Sequence, residues 1–316
     1  SCCYSPQAPS SYMNHCRHCW TLASLSIVLG VLVCTGCPGM RIRDAQDQVR
    51  IIEDLPYVSG SLDPKQRLDL YLPKDRQDFP MVLFVHGGFW RNQDRRYYQA
   101  FTGLHGNVGV ALAKHGFGVA VASYRLLPSA SLADQLIDVA AAAHFTVEHA
   151  QEYGGNPHKL VLAGFSAGGH LIMSLCVDPA RLKQVSAEPS VVRGCVSVSG
   201  VLDIAAMAAG QDAEFNKEVT DRHFGTAREG LPRFSPIQKF SAQMPMPLIL
   251  WAEKDYPFVK QAGHSAVEKV KSLGLIPHAK ELAGHDHADM VLRINSKEDQ
   301  VTESVVAFLT SVMNQP

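Results

Sequence analysis

Residues 160–169 read LVLAGFSAGG, an apolar run that enters a Gly-x-Ser-x-Gly motif. A second apolar run at helical spacing follows, from Leu171 to Leu175. A sharp turn from strand to helix holds a serine oxygen clear of the backbone, and the flanking glycines allow neighbouring chain to approach closely. The start of the helix also directs unpaired N–H groups toward developing negative charge. The motif predicts an α/β fold with Ser166 as a nucleophile, the alternative being a Gly-Ser turn without chemistry.

Apolar runs alternate with helical patterns from about Val49 onward, which is typical of a parallel sheet with helices on both faces. The predicted strands cover residues 67–72, 81–85, 117–123, 159–163, 192–198 and 247–252, and the predicted helices cover 131–152 and 301–312. Ser296, three residues before Asp299, predicts an N-cap for the last helix. Residues 202–243 break the alternation and predict a small cap insertion within one domain, 49–316.

Composition narrows the class of protein. The chain has 316 residues, of which 46% are hydrophobic and 19% charged, so it can bury a large core. Lys and Arg number 29 against 30 Asp and Glu. Nucleic-acid binding normally needs a clustered basic face, so the balance favours a small, mostly uncharged substrate. Cys176 and Cys195 are expected to be free, buried thiols.

The first residues carry a targeting pattern. Residues 21–33 form an uncharged, largely apolar run that matches the hydrophobic region of a signal peptide and is short for a membrane span. The tetrad Cys-Thr-Gly-Cys at 34–37 resembles a bacterial lipobox with Cys37 as the lipidated residue. We therefore expect residues 1–36 to be an N-terminal extension with a signal peptide, and 37–48 a linker. The protein is then exported to a bacterial cell envelope or periplasm and held there by lipid. The alternative to lipidation is simple cleavage of the signal peptide. The alternative interpretation of Cys16 and Cys19 is a metal site.

The predicted strand at 81–85 ends in His-Gly-Gly-Phe-Trp at 86–90. Acyl transfer requires donors for an alkoxide oxygen, and amides released from a sheet supply them. The amides expected in this oxyanion hole are those of Gly87, Gly88, Phe89 and Ala167. His86 is interpreted as a structural residue of the loop rather than a proton carrier. Trp90 is predicted as a substrate-binding residue, the alternative being that it packs under the loop.

An acid and a base should follow the serine along the chain. Asp255 comes just after the apolar run at 248–252, where crevices open at the carboxyl ends of strands. Two candidate histidines, His285 and His287, lie in the sequence GHDHAD at 284–289. The alternative for this cluster is a metal site, but a third well-spaced ligand is missing from the pattern.

Several motifs together resemble one branch of the α/β-hydrolases, the hormone-sensitive-lipase-like and feruloyl-esterase-related carboxylesterases. The chain is similar to isoprenylcysteine methylesterases and kynurenine formamidases over residues 66–309. The matching residues are 86–90, Tyr124-Arg125 with Pro128, 152–157, 164–168 followed by His170, Ser199-Gly200 with Asp203, and Ser235-Pro236. The resemblance implies a mostly parallel, eight-stranded type of sheet. It favours His287, which matches Gly-x-x-His from Gly284, and it favours Asp255 as the acid. Phe89 departs from the third glycine of the lipase motif.

These observations predict a serine carboxylesterase that hydrolyses small carboxylic esters through an acyl-enzyme, without cofactor or metal. The expected partner is a small ester, with no nucleic acid, and the oligomeric state is open. The alternative is an arylformamidase or another amide hydrolase with the same triad. A binding protein without catalysis is a further alternative, although none of the expected catalytic groups is missing.

Overall fold

A computed structural model describes residues 47–186, 188–210, 213–225 and 228–314. The predicted signal region at 1–36, Cys37 and most of the 37–48 linker lie outside the described residues. A single eight-stranded sheet runs in the order β1-β2-β4-β3-β5-β6-β7-β8. Its strands are β1 (Val49–Pro56), β2 (Arg67–Pro73), β3 (Phe79–Val85), β4 (Gly118–Ala122), β5 (Gly155–Phe165), β6 (Val192–Val198), β7 (Met246–Lys254) and β8 (His278–Asp286).

Most of the sheet is parallel. Strands β1 and β2 pair antiparallel, and β2 pairs antiparallel with β4, whereas every other neighbouring pair is parallel. The carboxyl ends of β3, β5, β6, β7 and β8 therefore meet at one edge. In an open parallel sheet, loops that leave this edge form the ligand crevice.

Ten helices were found among the described residues. They are α1 (Gln99–Thr102), α2 (Leu104–Lys114), α3 (Leu132–Glu148), α4 (Ala167–Cys176), α5 (Pro179–Val185), α6 (Ile204–Ala209), α7 (Ala213–Phe224), α8 (Pro257–Ser272), α9 (Asp289–Leu292) and α10 (Gln300–Met313). Short 3₁₀ turns occur at Gln151–Tyr153, Pro189–Val191, Arg228–Phe234 and Pro236–Lys239. None of the helices in the described ranges is long and apolar enough to cross a membrane.

Two hydrophobic cores cover the two faces of the sheet. Alternate residues of the central strands divide between them, with Leu83 and Leu162 in one core and Val82 and Val161 in the other. A strand covered on both faces reads as a continuous apolar run, which is why the sequence marked these strands clearly. The predicted α/β-hydrolase fold class is confirmed, and Cys176 and Cys195 are free and buried as expected.

Two predicted helix boundaries were wrong. Helix α3 begins after Ser131, whose side chain accepts a hydrogen bond from the Asp134 amide, and it ends at Glu148 instead of residue 152. A 3₁₀ turn follows because the chain must reverse into β5. The cap of α10 is Asp299, whose carboxylate accepts from the Thr302 amide at 2.8 Å, and not Ser296.

The segment between β6 and β7 contains α6, α7 and two 3₁₀ turns. It corresponds to the predicted insertion at 202–243. Its two ends are joined near Asp203, whose side chain caps α6 by accepting from the Ala206 amide at 3.0 Å. The Ser235 hydroxyl accepts from the Ile204 amide at 2.9 Å. These bonds fix the segment close to the carboxyl edge of the sheet.

Candidate active site

Ser166 lies at the sharp turn between β5 and α4. Its backbone has φ 54° and ψ −118°, a strained conformation for a residue with a side chain. The two glycines of the motif are required sterically. A Cβ on Gly164 would lie 2.4 Å from the Gly168 carbonyl oxygen, and a Cβ on Gly168 would lie 2.2 Å from that of Val85. Local sequence and packing therefore place Ser166 at the tight turn that the motif predicted, with the residue 6% exposed.

The structure brings Ser166, Asp255 and His287 together. Asp255 directly follows β7, and His287 directly follows β8, so two neighbouring parallel strands deliver both side chains to the same edge. His287 Nε2 lies 3.0 Å from Ser166 Oγ, and His287 Nδ1 lies 2.7 Å from Asp255 Oδ1. A carboxylate only accepts hydrogen bonds, so Nδ1 carries the proton. Nε2 is then the acceptor that faces the serine hydroxyl.

The Asp255 carboxylate has further donors. The Ser199 hydroxyl donates to Oδ2, as does the Ala252 amide at 3.1 Å, and the Tyr256 amide donates to Oδ1 at 2.9 Å. Burial alone would raise the pKa of Asp255, but the hydrogen bonds and charge of His287, with those from Ser199 and Ala252, hold it below its ordinary value. The acid is therefore ionised at neutral pH. Ser199 follows β6 and was not predicted as a site residue.

The second candidate histidine points elsewhere. His285 belongs to β8, is fully buried, and its Nδ1 lies 2.9 Å from the carbonyl oxygen of Ala283. His287 lies two residues further along the chain, beyond the end of β8, and its side chain reaches Ser166. Within the described residues, no group of three or more His, Cys, Asp or Glu side chains is arranged to hold a metal ion.

The loop after β3 has the backbone geometry of a donor loop. Gly87 O accepts from the ring of the preceding histidine at 2.7 Å, and Gly88 O accepts from the amides three and four residues further along, at 3.1 and 2.9 Å. In a trans peptide the C=O of one residue and the N–H of the following residue point in opposite directions. The amides of Gly88 and Phe89 are therefore directed away from these bonds. A Cβ on Gly87 would lie 3.0 Å from the Ser166 Cβ. The loop thus lies against the serine, and Ala167 begins α4, where helix amides have no intrahelical acceptor.

His86 is a structural part of this loop. Its ring is fully buried and stacks on Tyr124 with centroids 4.5 Å apart. Burial lowers the pKa of His86 to about 4, so the ring is neutral at neutral pH. Its Nδ1–H donates to Gly87 O, which fixes the peptide ahead of Gly88.

The prediction that Trp90 binds substrate was wrong. Trp90 has no exposed surface, and its ring packs edge-on against His170 and Phe224 at 5.2 and 5.1 Å. Its Nε1–H donates to His170 Nδ1 at 3.2 Å, and His170 Nε2–H donates to the Phe234 carbonyl at 2.9 Å. Trp90 therefore packs under the loop and has no exposed surface for a substrate to contact.

Two aromatic rings flank His287. The Phe165 ring lies 5.0 Å away and the Tyr256 ring 4.7 Å away, centroid to centroid. Phe165 is buried, whereas Tyr256 is 38% exposed. Tyr256 was not predicted as a site residue, although its place next to Asp255 was a signal for it.

Taken together, the carboxyl edge presents a hydroxyl with an imidazole at hydrogen-bond distance, an ionised carboxylate behind that imidazole, and glycine amides beside the hydroxyl. This arrangement can deprotonate the serine as it attacks a carbonyl carbon and can accept negative charge on the carbonyl oxygen.

Comparison with known proteins agrees with this fold. A probable isoprenylcysteine alpha-carbonyl methylesterase of Oryza sativa subsp. japonica is 27% identical over 263 residues, which is 78% of this chain and 61% of that protein. A kynurenine formamidase of Salmo salar is 21% identical over 271 residues, 84% of each chain. The chain spans 61% and 56% of the first two methylesterase relatives, somewhat more than half of their length.

The crystal structure of an inhibited esterase B from Lactobacillus rhamnosis has a TM-score of 0.70 at 18% identity, and the match covers 94% of this chain and 97% of that one. This likeness confirms the α/β-hydrolase fold. The model of the BD-FAE family matches residues 68–269, from the second strand to the helix after Asp255. That range is more than half of the chain and contains the loop after β3, the serine turn and the acid, and on this match the chain belongs to the BD-FAE family.

Proposed function

We propose that this protein is a serine carboxylesterase that hydrolyses small carboxylic esters through an acyl-enzyme. The observation that carries the proposal is the continuous contact from Ser166 Oγ to His287 Nε2 at 3.0 Å and from His287 Nδ1 to Asp255 Oδ1 at 2.7 Å. A hydroxyl, a base and an orienting acid in this order constitute the geometry of nucleophilic acyl transfer.

In the first half-reaction, Ser166 Oγ attacks the ester carbonyl carbon while its proton passes to His287 Nε2. The ionised Asp255 stabilises the imidazolium that forms. Negative charge on the former carbonyl oxygen is stabilised by the amides of Gly88, Phe89 and Ala167. Losing one such donor typically costs about 2.7–4 kcal/mol of barrier.

The tetrahedral intermediate collapses when the bond from carbon to the alcohol oxygen breaks and His287 returns its proton to that oxygen. An acyl group then remains on Ser166. In the second half-reaction, water attacks this acyl carbon, His287 takes the water proton, and the proton passes to Ser166 Oγ as the carboxylic acid leaves.

The test is turnover of p-nitrophenyl acetate and butyrate by the wild type and by Ser166→Ala, with labelling by a fluorophosphonate. We expect turnover and a single adduct on Ser166 in the wild type, and neither in the variant. Ser174→Ala, on the same helix, is the matched control and should keep both. Wild-type turnover that persists in Ser166→Ala would overturn the proposal.

A formamidase is the second candidate. It is favoured by the kynurenine formamidase relative, whose match covers 84% of each chain, whereas the methylesterase match covers 61% of the relative. The same triad serves both reactions, but the amide reaction must protonate a nitrogen. A kcat/KM for N-formylkynurenine that exceeds the values for the esters would select the formamidase. A lower value, or no turnover of N-formylkynurenine, would leave the esterase.

The location of the protein is a separate proposal, since residues 1–46 are outside the described part of the chain. It is supported by the apolar run at 21–33 and by Cys37. In a bacterial host the full chain should fractionate with membranes, and Cys37→Ser should release it. Equal release of both proteins would refute lipid anchoring.

A further inference from the structure

The only strongly exposed ring that contacts His287 among the described residues is Tyr256. The imidazole contacts two aromatic side chains, the buried Phe165 and Tyr256, which is 38% exposed. The His287 side chain is itself 19% exposed. Tyr256 is therefore a solvent-exposed aromatic ring in direct contact with this imidazole.

Tyr256 is held firmly for a residue at the surface. Its amide donates to Asp255 at 2.9 Å, and its carbonyl accepts from the amides of Val259 and Lys260 at 2.9 and 3.1 Å. Its ring stacks on Phe258, with centroids 5.5 Å apart and planes 5° from parallel. The turn that positions the catalytic acid thus also fixes this ring, and a preorganised ring loses little entropy on binding.

The reaction identifies which part of a substrate lies there. His287 Nε2 must return a proton to the leaving oxygen, so that oxygen comes within hydrogen-bond distance of the imidazole. The body of the leaving alcohol is attached to this oxygen and therefore lies close to the imidazole and to the rings that contact it. The acyl chain starts from the carbonyl carbon, on Ser166 and beside the glycine loop.

We infer that Tyr256 is a platform for the leaving alcohol and that it selects esters whose alcohol carries an aromatic ring. This inference rests on the proposed esterase function. Aromatic rings stack with centroids about 4.5–7 Å apart and gain more than the burial of their area alone. The stacked pair of Tyr256 and Phe258 offers such a face directly beside the proton donor.

The experiment compares benzyl acetate with n-hexyl acetate. Both alcohols are primary and of similar size and basicity, so the two esters differ mainly in the ring. For the wild type we expect kcat/KM to favour the benzyl ester. Tyr256→Ala and Tyr256→Leu should each lower the ratio of benzyl to hexyl kcat/KM by roughly 2- to 12-fold. Tyr256→Phe keeps the ring and should keep the ratio.

Two controls separate the platform from general damage. Ethyl phenylacetate and ethyl hexanoate place the ring on the acyl side, and their ratio should not change in any Tyr256 variant. Ile276→Ala removes a side chain that is 81% exposed just before the amino end of β8, at the opposite edge of the sheet, and should leave both ratios unchanged. A Tyr256→Leu enzyme that hydrolyses both acetates with the wild-type ratio would overturn the inference while leaving the esterase proposal intact. Lack of turnover of every ester by the wild type would overturn both.

Discussion

Replacing His170 with glutamine should flatten the dependence of folding stability on pH between pH 8 and pH 5. His170 is fully buried, accepts from Trp90 Nε1–H at 3.2 Å and donates to the Phe234 carbonyl at 2.9 Å. Protonation of His170 Nδ1 would place a second N–H against the Trp90 N–H. It would also leave a buried positive charge on the ring. Burial lowers the pKa of His170 from its ordinary 6.5 to about 4, although the bond to Phe234 opposes the shift.

The sign follows from proton uptake. Between pH 6.5 and pH 4 the unfolded chain binds a proton at His170 and the folded chain does not. The free energy of unfolding therefore falls as the pH falls through this window. With these values the loss at pH 5, relative to pH 8, is about 2 kcal/mol from this one residue. The depressed pKa of Asp255 adds little here, because a carboxyl whose pKa is below its ordinary value stays ionised through this window.

Urea unfolding followed by tryptophan fluorescence at pH 8, 7, 6 and 5 measures the effect. Glutamine has a hydrogen-bond donor and an acceptor but no titrating group. From pH 8 to pH 5, the free energy of unfolding of His170→Gln should therefore fall by roughly 2 kcal/mol less than that of the wild type. His86, whose pKa is also lowered by burial, is present in both proteins. The free energy of unfolding of the variant therefore still falls somewhat as the pH falls. Ser174→Ala changes no titrating group and should run parallel to the wild type. Parallel curves for the wild type and His170→Gln would refute the reasoning.

Three other substitutions have expected outcomes. Gly168→Ala places a Cβ 2.2 Å from the last carbonyl oxygen of β3, so soluble expression and fluorophosphonate labelling should both fall sharply. Trp90→Phe leaves His170 Nδ1 buried without its donor and should lower the free energy of unfolding, measured in urea, by about 1–3 kcal/mol. Ser199→Ala removes a donor to the Asp255 carboxylate, which should raise the Asp255 pKa and lower kcat by roughly 10-fold with little change in KM, as steady-state kinetics would show.

The sequence predicted most of the sheet and the polar side chains that meet at its carboxyl edge because both follow local patterns. The strands that lie in the middle of the sheet are covered on both faces and are therefore continuous apolar runs. Ser166 and Asp255 each come directly after such a run. His287 was selected through a family motif and not through a strand, since β8 was not predicted. That strand has only Leu282 and His285 buried, so an apolar run or alternation is absent from its sequence.

The remaining features depend on contacts between distant parts of the chain. Ser199 meets Asp255 across 56 positions, and only the adjacency of β6 and β7 brings them together. Trp90 was misjudged for the same reason. Its surroundings come from α4 and from the segment between β6 and β7, and nothing in the sequence near residue 90 marks the space that they leave for an indole.

Backbone strain is concentrated where these distant parts meet. Phe89, Trp90, Ser166 and Ser199 have positive φ angles, and all four follow the carboxyl ends of central strands. Such conformations cost about 1–3 kcal/mol each and persist only where the surroundings fix them. Here the Ser166 amide donates to the last carbonyl of β6 at 2.9 Å, and the Ser199 amide donates to a carbonyl of β7 at 2.7 Å. Ser166 and Ser199 are thus each bonded to the next strand of the sheet. Pairing with β6 and β7 therefore holds the strained serine turn in place. Variants that weaken either strand should lose fluorophosphonate labelling before they lose their overall fold.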